Sequence, residues 1–159
     1  MSVDTVAIRK NTRVALPEDD NYLFRLGVAL YAFNSVNSFM TEIITHLDPE
    51  ASRTELHMLT SGKVLDRFRS AVKHWSGDDI SDPARRAAGE FERLNTERSD
   101  FVHSYPITNA SNEQILHRRV DEKGKYFEVT SALLEDFTSR ISTVSDALYE
   151  IRSIVRPEL

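Results

Sequence analysis

The carboxy-terminal region carries the hydrophobic pattern that most restricts what this chain can fold into. Beyond residue 131, apolar residues recur at alternating spacings of three and four, which places them along one seam of a helix for about three heptads. Such a seam must be covered by other helices, and at this length it is more typical of a bundle core than of an independent coiled coil. We therefore predict a helical bundle that includes this helix. The seam comprises Leu134, Phe137, Ile141, Val144, Leu148, Ile151 and Val155.

A long helix is also predicted near the start of the chain. Residues 17–20 (PEDD) suit a first turn, because proline is tolerated there and acidic side chains complement the positive end of the helix dipole. The helix should run to about His46, and Phe24, Val28 and Tyr31 lie on a second side of it, away from its main apolar stripe. A helix that is apolar on two sides is either central in a bundle or located at a dimer contact. The main stripe comprises Tyr22, Leu26, Leu30, Phe33, Val36, Met40, Ile44 and Leu47.

Two further helices are predicted in the middle of the chain. Residues 52–55 (SRTE) fit a capping box at the start of the second helix, and residues 76–79 (SGDD) should end it. Residues 81–83 (SDP) place a capping residue directly before a first-turn proline and so should start the third helix. Pro106 should end that helix, because proline disfavours helical geometry at the preceding Tyr105.

The only convincing strand pattern lies before the last helix. Residues 115–120 and 125–129 are β-capable runs around a turn that contains Gly124, which predicts a hairpin. The predicted fold class is therefore all-α, an up-and-down bundle of four to five helices with a small β-hairpin before the last helix. We divide the chain into residues 1–16, which form an amino-terminal arm or short hairpin, and residues 17–159, which form a single helical domain.

Composition excludes several kinds of site. The chain of 159 residues has no cysteine, so it can form no disulfide, thiolate nucleophile or cysteine-based metal site. The histidines lack the paired spacing of a metal site, and no phosphate-binding glycine loop is present. We therefore expect neither a metal nor another cofactor. The absence of a signal-peptide pattern and of a long apolar run indicates a cytoplasmic protein with no membrane partner.

The formal net charge of −5 argues against a protein that coats nucleic acid through bulk electrostatics. Local basic sites remain open, although a solvated charged face is the commoner explanation for such groups. The candidates are Arg85 and Arg86, the run His117, Arg118 and Arg119 with Lys123 and Lys125, and the second-helix group Lys63, Arg67, Arg69, Lys73 and His74.

An arginine interrupts the apolar face of the third helix. At about 100° per residue, Arg98 projects from the middle of this face. Because a buried charge is costly alone, the side chain must find an acidic partner, a phosphate or a subunit interface. A structural ion pair with a neighbour such as Glu97 is the first interpretation, and an anion site is the second. The rest of the face comprises Ala84, Ala87, Ala88, Phe91, Leu94 and Val102.

His103 follows Arg98 near the predicted end of the helix. An ideal helix separates residues five apart by roughly 7.5 Å of rise and about 140° of rotation, so the two side chains do not share a face. They could converge if the helix ends near His103, or if two copies of the chain place both residues around one groove. The helix dipole favours a cationic imidazole at this end, which suits phosphate binding or general-acid catalysis, and a guanidinium can bind the same phosphate through two N–H groups.

Residues 97–104 (ERSDFVHS) fit an RxxxxH motif, and through this motif the chain resembles the HEPN superfamily. Members of that superfamily are compact helical bundles with the motif near the end of the third main helix. The similarity in helix order extends over roughly residues 18–155, whereas the motif is specific only over 97–104. Ser99 follows the arginine where many members have Asn, Asp or His, and Asp100 comes one place later.

The resemblance implies a metal-independent endoribonuclease, toxin or defence-like, that works as a homodimer with its two motifs facing each other. Arg98 would bind and polarise the scissile phosphate, and His103 would take or deliver a proton as the RNA 2′-hydroxyl attacks it. Ser99, Asp100 or Tyr105 would orient these groups. RNA and a possible cognate antitoxin are the expected partners. Arg118, Arg119 and Lys125 are the candidates for RNA binding.

The alternative is a non-catalytic HEPN-like domain used for dimerisation or partner binding. In that case Arg98 and His103 would form a structural polar network.

Overall fold

The computed structural model describes residues 2–159 and shows a mostly helical protein with a small antiparallel sheet. None of the helices in this range combines the length and the apolar character needed to cross a membrane. Its helices are α1 (Thr5–Thr12), α2 (Asp20–Leu47), α3 (Arg53–His57), α4 (Ser61–His74), α5 (Ser81–Val102) and α6 (Ser131–Val155). Its strands, all between α5 and α6, are β1 (Tyr105–Thr108), β2 (Gln114–Val120) and β3 (Lys125–Val129).

Four helices build the bundle that the sequence predicts. The long helix α2 packs against α4 and α6, and α5 packs against the same two helices. The predicted seam of α6 is buried from Leu134 to Ile151. In the centre of the core the Phe33 ring lies 5.3 Å from the Phe91 ring and 6.3 Å from the Phe137 ring, measured between centroids. Aromatic rings from three helices therefore close the core.

The fold is α+β rather than all-α, because the predicted hairpin gains a third strand. β2 pairs antiparallel with β3 as predicted, and β1 pairs with the other edge of β2, with Tyr105 opposite His117 and Ile107 opposite Ile115. The sequence predicts only the end of a helix and a polar connection in this segment. Pro106 does not prevent the pairing because β1 is an edge strand, where one missing backbone N–H can be tolerated.

The amino-terminal segment is helical, so the hairpin proposed as one option for residues 1–16 is wrong. Asp4 caps α1 by accepting a hydrogen bond from the Ala7 N–H at 2.9 Å, and this cap offsets the β preference of the nearby Val and Ile residues. No residue of α1 is buried, and Arg9 contacts Asp20 at the start of α2 at 2.6 Å. The helix therefore lies on the surface of the bundle.

The predicted second helix is divided into two. Ser52 Oγ accepts a hydrogen bond from the Glu55 N–H at 3.4 Å, which confirms half of the predicted capping box. However, α3 ends at His57, and the chain begins α4 only at Ser61, with Thr60 as its cap residue. The break lets the short α3 pack against α2 while α4 continues along the bundle.

Only one side of α2 is covered within the chain. Phe24 and Tyr31, on the second apolar side, are 72% and 77% exposed. Leu26 and Leu30 on the main stripe are half-buried. α2 thus packs against the other bundle helices on one side, and its second apolar side is exposed in the part of the chain that the structure describes.

Tyr22 joins the start of α2 to the sheet. Its buried hydroxyl donates a hydrogen bond to the Val129 carbonyl at 2.8 Å and accepts one from the Leu116 N–H at 2.9 Å. Leu116 and Val129 are opposite each other in β2 and β3, so one side chain satisfies both strands. Burial raises the pKa of the Tyr22 phenol because the phenolate would lose its solvation.

We expect Tyr22→Phe to lower the free energy of unfolding by about 2 kcal/mol, because it leaves a buried backbone donor and a buried acceptor unpaired. Urea unfolding followed by circular dichroism measures the difference. Since the phenol pKa is raised in the folded state, the wild-type protein should also lose stability as the pH rises above about 10, and the variant should lose less. Tyr149→Phe, which changes an exposed hydroxyl, is the control. Equal stability of the two variants would contradict the role given to Tyr22.

Candidate functional site

Arg98 lies on the inner side of α5 without an acidic partner among residues 2–159. Its guanidinium carbon is 5.2 Å from the centroid of the Phe33 ring on α2, and its Nη2 donates a hydrogen bond to Asn95 Oδ1 at 3.0 Å. Its Nε is buried and has no hydrogen-bond partner among the described residues. Glu97, the expected ionic partner, instead contacts Arg140 of α6. An aromatic face and a neutral amide thus hold the cation, and no carboxylate neutralises it.

The apolar face around Arg98 is confirmed except at its last position. Phe91 and Leu94 are fully buried, as predicted. Val102 is 55% exposed, and Phe101 is buried instead, with its ring centroid 5.0 Å from that of Phe137. The reason is helical periodicity, because Phe101 lies seven residues after Leu94 and therefore within about 20° of it.

His103 is the residue that ends α5. Its N–H donates a hydrogen bond to the Ser99 carbonyl at 3.1 Å, so the helical turn continues through residue 103. Its own carbonyl accepts a hydrogen bond from Arg118 Nη1 at 3.1 Å, and the residue is exposed. Because the turn is preserved, the His103 side chain leaves α5 about 140° from Arg98. Within one chain, the end of the helix does not turn the two side chains onto a common face.

Asp100 is the buried anion of this region. The residue is 6% exposed, and its carboxylate contacts Arg118 Nε at 3.1 Å and also the ammonium of Lys125. These two cations come from β2 and β3, so the pairs attach the last turn of α5 to the sheet. Arg118 and Lys125 are two of the three predicted RNA-binding residues. Both therefore form ion pairs with Asp100, which was predicted to orient Arg98 and His103.

Arg119, the third RNA-binding candidate, is also paired. Its Nε lies 2.8 Å from Asp121 Oδ1, and its guanidinium carbon is 5.3 Å from the Tyr126 ring centroid. The Asp121 carboxylate raises the pKa of Arg119, and the pKa of Asp121 is lowered in return. The positive charge of the sheet is thus largely balanced by carboxylates of the same chain.

The remaining predicted residues lie beside the motif rather than between its two members. Tyr105 on β1 is partly exposed, and its ring centroid is 5.5 Å from that of His117. His117 has a buried Nδ1 without a hydrogen-bond partner in the described chain. Ser99 is half-buried and contributes its carbonyl to the helix end. Asn95 is not among the predicted site residues, but it contacts Arg98 directly. Its position three residues before Arg98 on the same helix indicates such a contact, because residues three apart are neighbours on a helix surface.

No known protein family, no curated protein and no solved structure matches this chain.

We expect Asp100→Asn to lower the free energy of unfolding by about 2 kcal/mol, because it leaves two partly buried cations without their counter-charge. Amide hydrogen exchange should at the same time become faster in the last turn of α5 and in β3, which the carboxylate connects. Asp121→Asn removes an exposed carboxylate that binds one surface arginine and is the matched control. Unchanged exchange in β3 of Asp100→Asn would show that the ion pairs do not hold the helix to the sheet.

Proposed function

We propose that this chain is a metal-independent endoribonuclease of the HEPN type, in which Arg98 binds the scissile phosphate and His103 transfers the proton. The observation that carries the proposal is the half-buried Arg98, whose guanidinium has no carboxylate partner among the described residues and donates a single hydrogen bond, from Nη2 to Asn95 Oδ1. A cation in this state can still bind an anion, and the planar guanidinium suits two phosphate oxygens. The exposed imidazole of His103 at the helix end supplies a group that can accept or donate a proton.

The proposed reaction is an internal phosphoryl transfer. The RNA 2′-oxygen forms a bond to phosphorus, the bond from phosphorus to the 5′-oxygen breaks, and the products carry a 2′,3′-cyclic phosphate and a 5′-hydroxyl. One imidazole accepts the proton of the 2′-hydroxyl, and a protonated imidazole delivers one to the leaving 5′-oxygen. Arg98 stabilises the charge that develops on the phosphoryl oxygens.

A second copy of the chain would complete this site. Arg98 and His103 leave α5 in different directions, so His103 of one copy and Arg98 of the other are candidates to meet across a groove. α4 begins only at Ser61, and Gly62 in its first turn lies beside the Asn95 amide. Beyond Asn95, the Arg98 side chain is half-buried and Val102, one turn later on α5, is exposed.

Incubating the purified protein with mixed RNA in EDTA should give fragments that end in a 2′,3′-cyclic phosphate. His103→Ala and Arg98→Ala should each reduce the rate by roughly a hundredfold or more, because the first removes the proton carrier and the second the phosphate ligand. Arg85→Ala, which changes an exposed arginine of the same helix, should cut as the wild type does. Intact RNA with the wild type, or equal cutting by His103→Ala, would contradict the proposal.

A second candidate function is non-catalytic dimerisation, and the outer side of α2 favours it. Residues 26–41 contain no charged side chain although the helix is half exposed, and Phe24 and Tyr31 project from this side. In a chain of net charge −5, a neutral apolar surface is where a second copy meets least repulsion. Phe24 and Tyr31 lie roughly 160–180° from Phe33 on the helix, so a dimer formed here would leave the two Arg98 side chains far apart.

The spacing on α2 also fits self-association. In an antiparallel pair of α2 helices, Phe24 of each copy would pack on Tyr31 of the other, with Gly27 near the crossing point. A side chain at Gly27 would meet nothing within 4 Å inside the chain, so the monomer does not require this glycine, which costs a helix about 1 kcal/mol relative to alanine. The four rings alone would bury about 600 Å², roughly half of a small stable interface.

Tyr31→Glu separates the two candidates. If α2 forms the dimer, we expect sedimentation equilibrium to show that the wild type is dimeric. The free energy of dimerisation of Tyr31→Glu should be weaker by about 2 kcal/mol, because the variant would bury a charge in the contact. Val6→Glu, at an exposed apolar residue of α1, should remain dimeric. A monomeric wild type, or a dimer that survives Tyr31→Glu, would contradict the α2 contact; in the second case a dimer across the Arg98 side is favoured.

A further inference from the structure

The pairing of surface charges in this protein leaves a small set of cations free. Within residues 2–159, every arginine except Arg13, Arg67 and Arg98 lies within 4.0 Å of a carboxylate oxygen. Arg13 follows α1 at the amino-terminal edge, whereas Arg67 belongs to α4 and Arg98 to the proposed reaction site. Two of the three exceptions therefore lie on neighbouring helices of the bundle.

The exposed side of α4 extends this pattern. Lys63 and Lys73 are exposed and, like Arg67, have no carboxylate within 4.0 Å. Lys63 and Arg67 are one turn apart, about 6 Å along the axis and about 40° around it, and Ser70 continues the same face. We call Lys63 and Arg67 the α4 cation row; Lys73 leaves the helix about 120° from Arg67 and lies outside the row.

The acidic groups near this row leave it positive. Glu92, on α5, is engaged by Arg69 at 2.9 Å, which holds the pKa of that carboxyl below its ordinary value. Asp66 is the one acidic residue on α4 itself. The row thus has an excess of positive charge, although the net charge of the chain is negative. A polyanion is therefore attracted to this part of the surface more than to the rest.

The position of the row connects it to Arg98. The first turn of α4 lies beside Asn95, and the Asn95 amide oxygen accepts the hydrogen bond of Arg98 Nη2. Lys63 belongs to that same first turn, so the row starts next to the proposed phosphate ligand and continues along α4 away from it. A single strand of phosphates could contact Arg98 and then Lys63 and Arg67 in succession.

We infer that the α4 cation row binds the sugar–phosphate backbone of single-stranded RNA on one side of the bond held by Arg98. This inference rests on the proposed function for the identity of the polyanion. Three cations at separate positions, Arg98, Lys63 and Arg67, favour an extended strand with repeated charges over a compact anion. Contacts of this kind carry no base specificity, so the row sets affinity and strand placement rather than the sequence that is cut.

The test measures binding without cleavage. A short fluorescent single-stranded RNA is titrated with His103→Ala protein in EDTA, and anisotropy gives the dissociation constant at salt concentrations from about 50 to about 200 mM. The test variant adds Lys63→Gln and Arg67→Gln to this background. The matched control adds Lys10→Gln and Lys123→Gln, which also removes two unpaired positive charges but in α1 and in the turn before β3.

Loss of two phosphate contacts should weaken binding roughly tenfold near physiological salt and reduce the slope of log affinity against log salt by about 1.4, whereas the control should change neither. Equal affinities of test and control variants would overturn the inference, as would a poly-glutamate peptide that competes as well as RNA does. The two proposals fail separately. RNA that is bound through the row but never cut by the wild type would contradict only the nuclease, whereas cutting that is unaffected by Lys63→Gln and Arg67→Gln would contradict only the row.

Discussion

The buried carboxylate of Asp100 holds the candidate site in place. A charge at 6% exposure is unfavourable unless opposite charges meet it, and here β2 and β3 each supply one through Arg118 and Lys125. The pairs fix the last turn of α5 against the sheet. Since Arg98 and His103 lie within three residues of Asp100, their backbone positions are set by the same contacts. Arg118 strengthens this attachment because it also bonds the His103 carbonyl.

The two arginines 98 and 118 show how context decides the role of a cation. Arg118 meets a carboxylate and a carbonyl, so its charge is balanced within the chain and its Nε and Nη1 donors are used for structure. Arg98 meets a phenyl ring and one amide, and its charge is not neutralised within the chain. Sequence position alone would favour Arg118, which stands in a basic run, as the residue free to bind an anion. The three-dimensional contacts favour Arg98 instead.

The sequence predicts well what depends on local pattern and poorly what depends on distant partners. The α6 seam, the start of α5 and the β2–β3 hairpin follow from periodicity, proline chemistry and a glycine turn, and all three are present. The pairing of β1 could not be predicted, because Pro106 is compatible both with the end of a helix and with an edge strand. Only the position of β1 at the edge of the sheet makes the pairing possible. The ion pair between Asp100 and Lys125 could not be predicted. The two residues are 25 positions apart, and each could equally have been exposed to solvent. Arg98 was identified because it breaks an apolar pattern, whereas its contact with Phe33 requires the packing of α2 against the core.

The Tyr22 bridge has a consequence for the order in which the molecule assembles during synthesis. The hydroxyl near the beginning of the chain bonds a strand carbonyl 107 residues later, and the Asp100 ion pairs also require β3. A nascent chain that ends before Lys125 therefore contains Arg98, His103 and Arg118 but lacks Lys125 and the Val129 carbonyl, which complete these contacts. On the ribosome, the motif is translated before all of the contacts that position it can form.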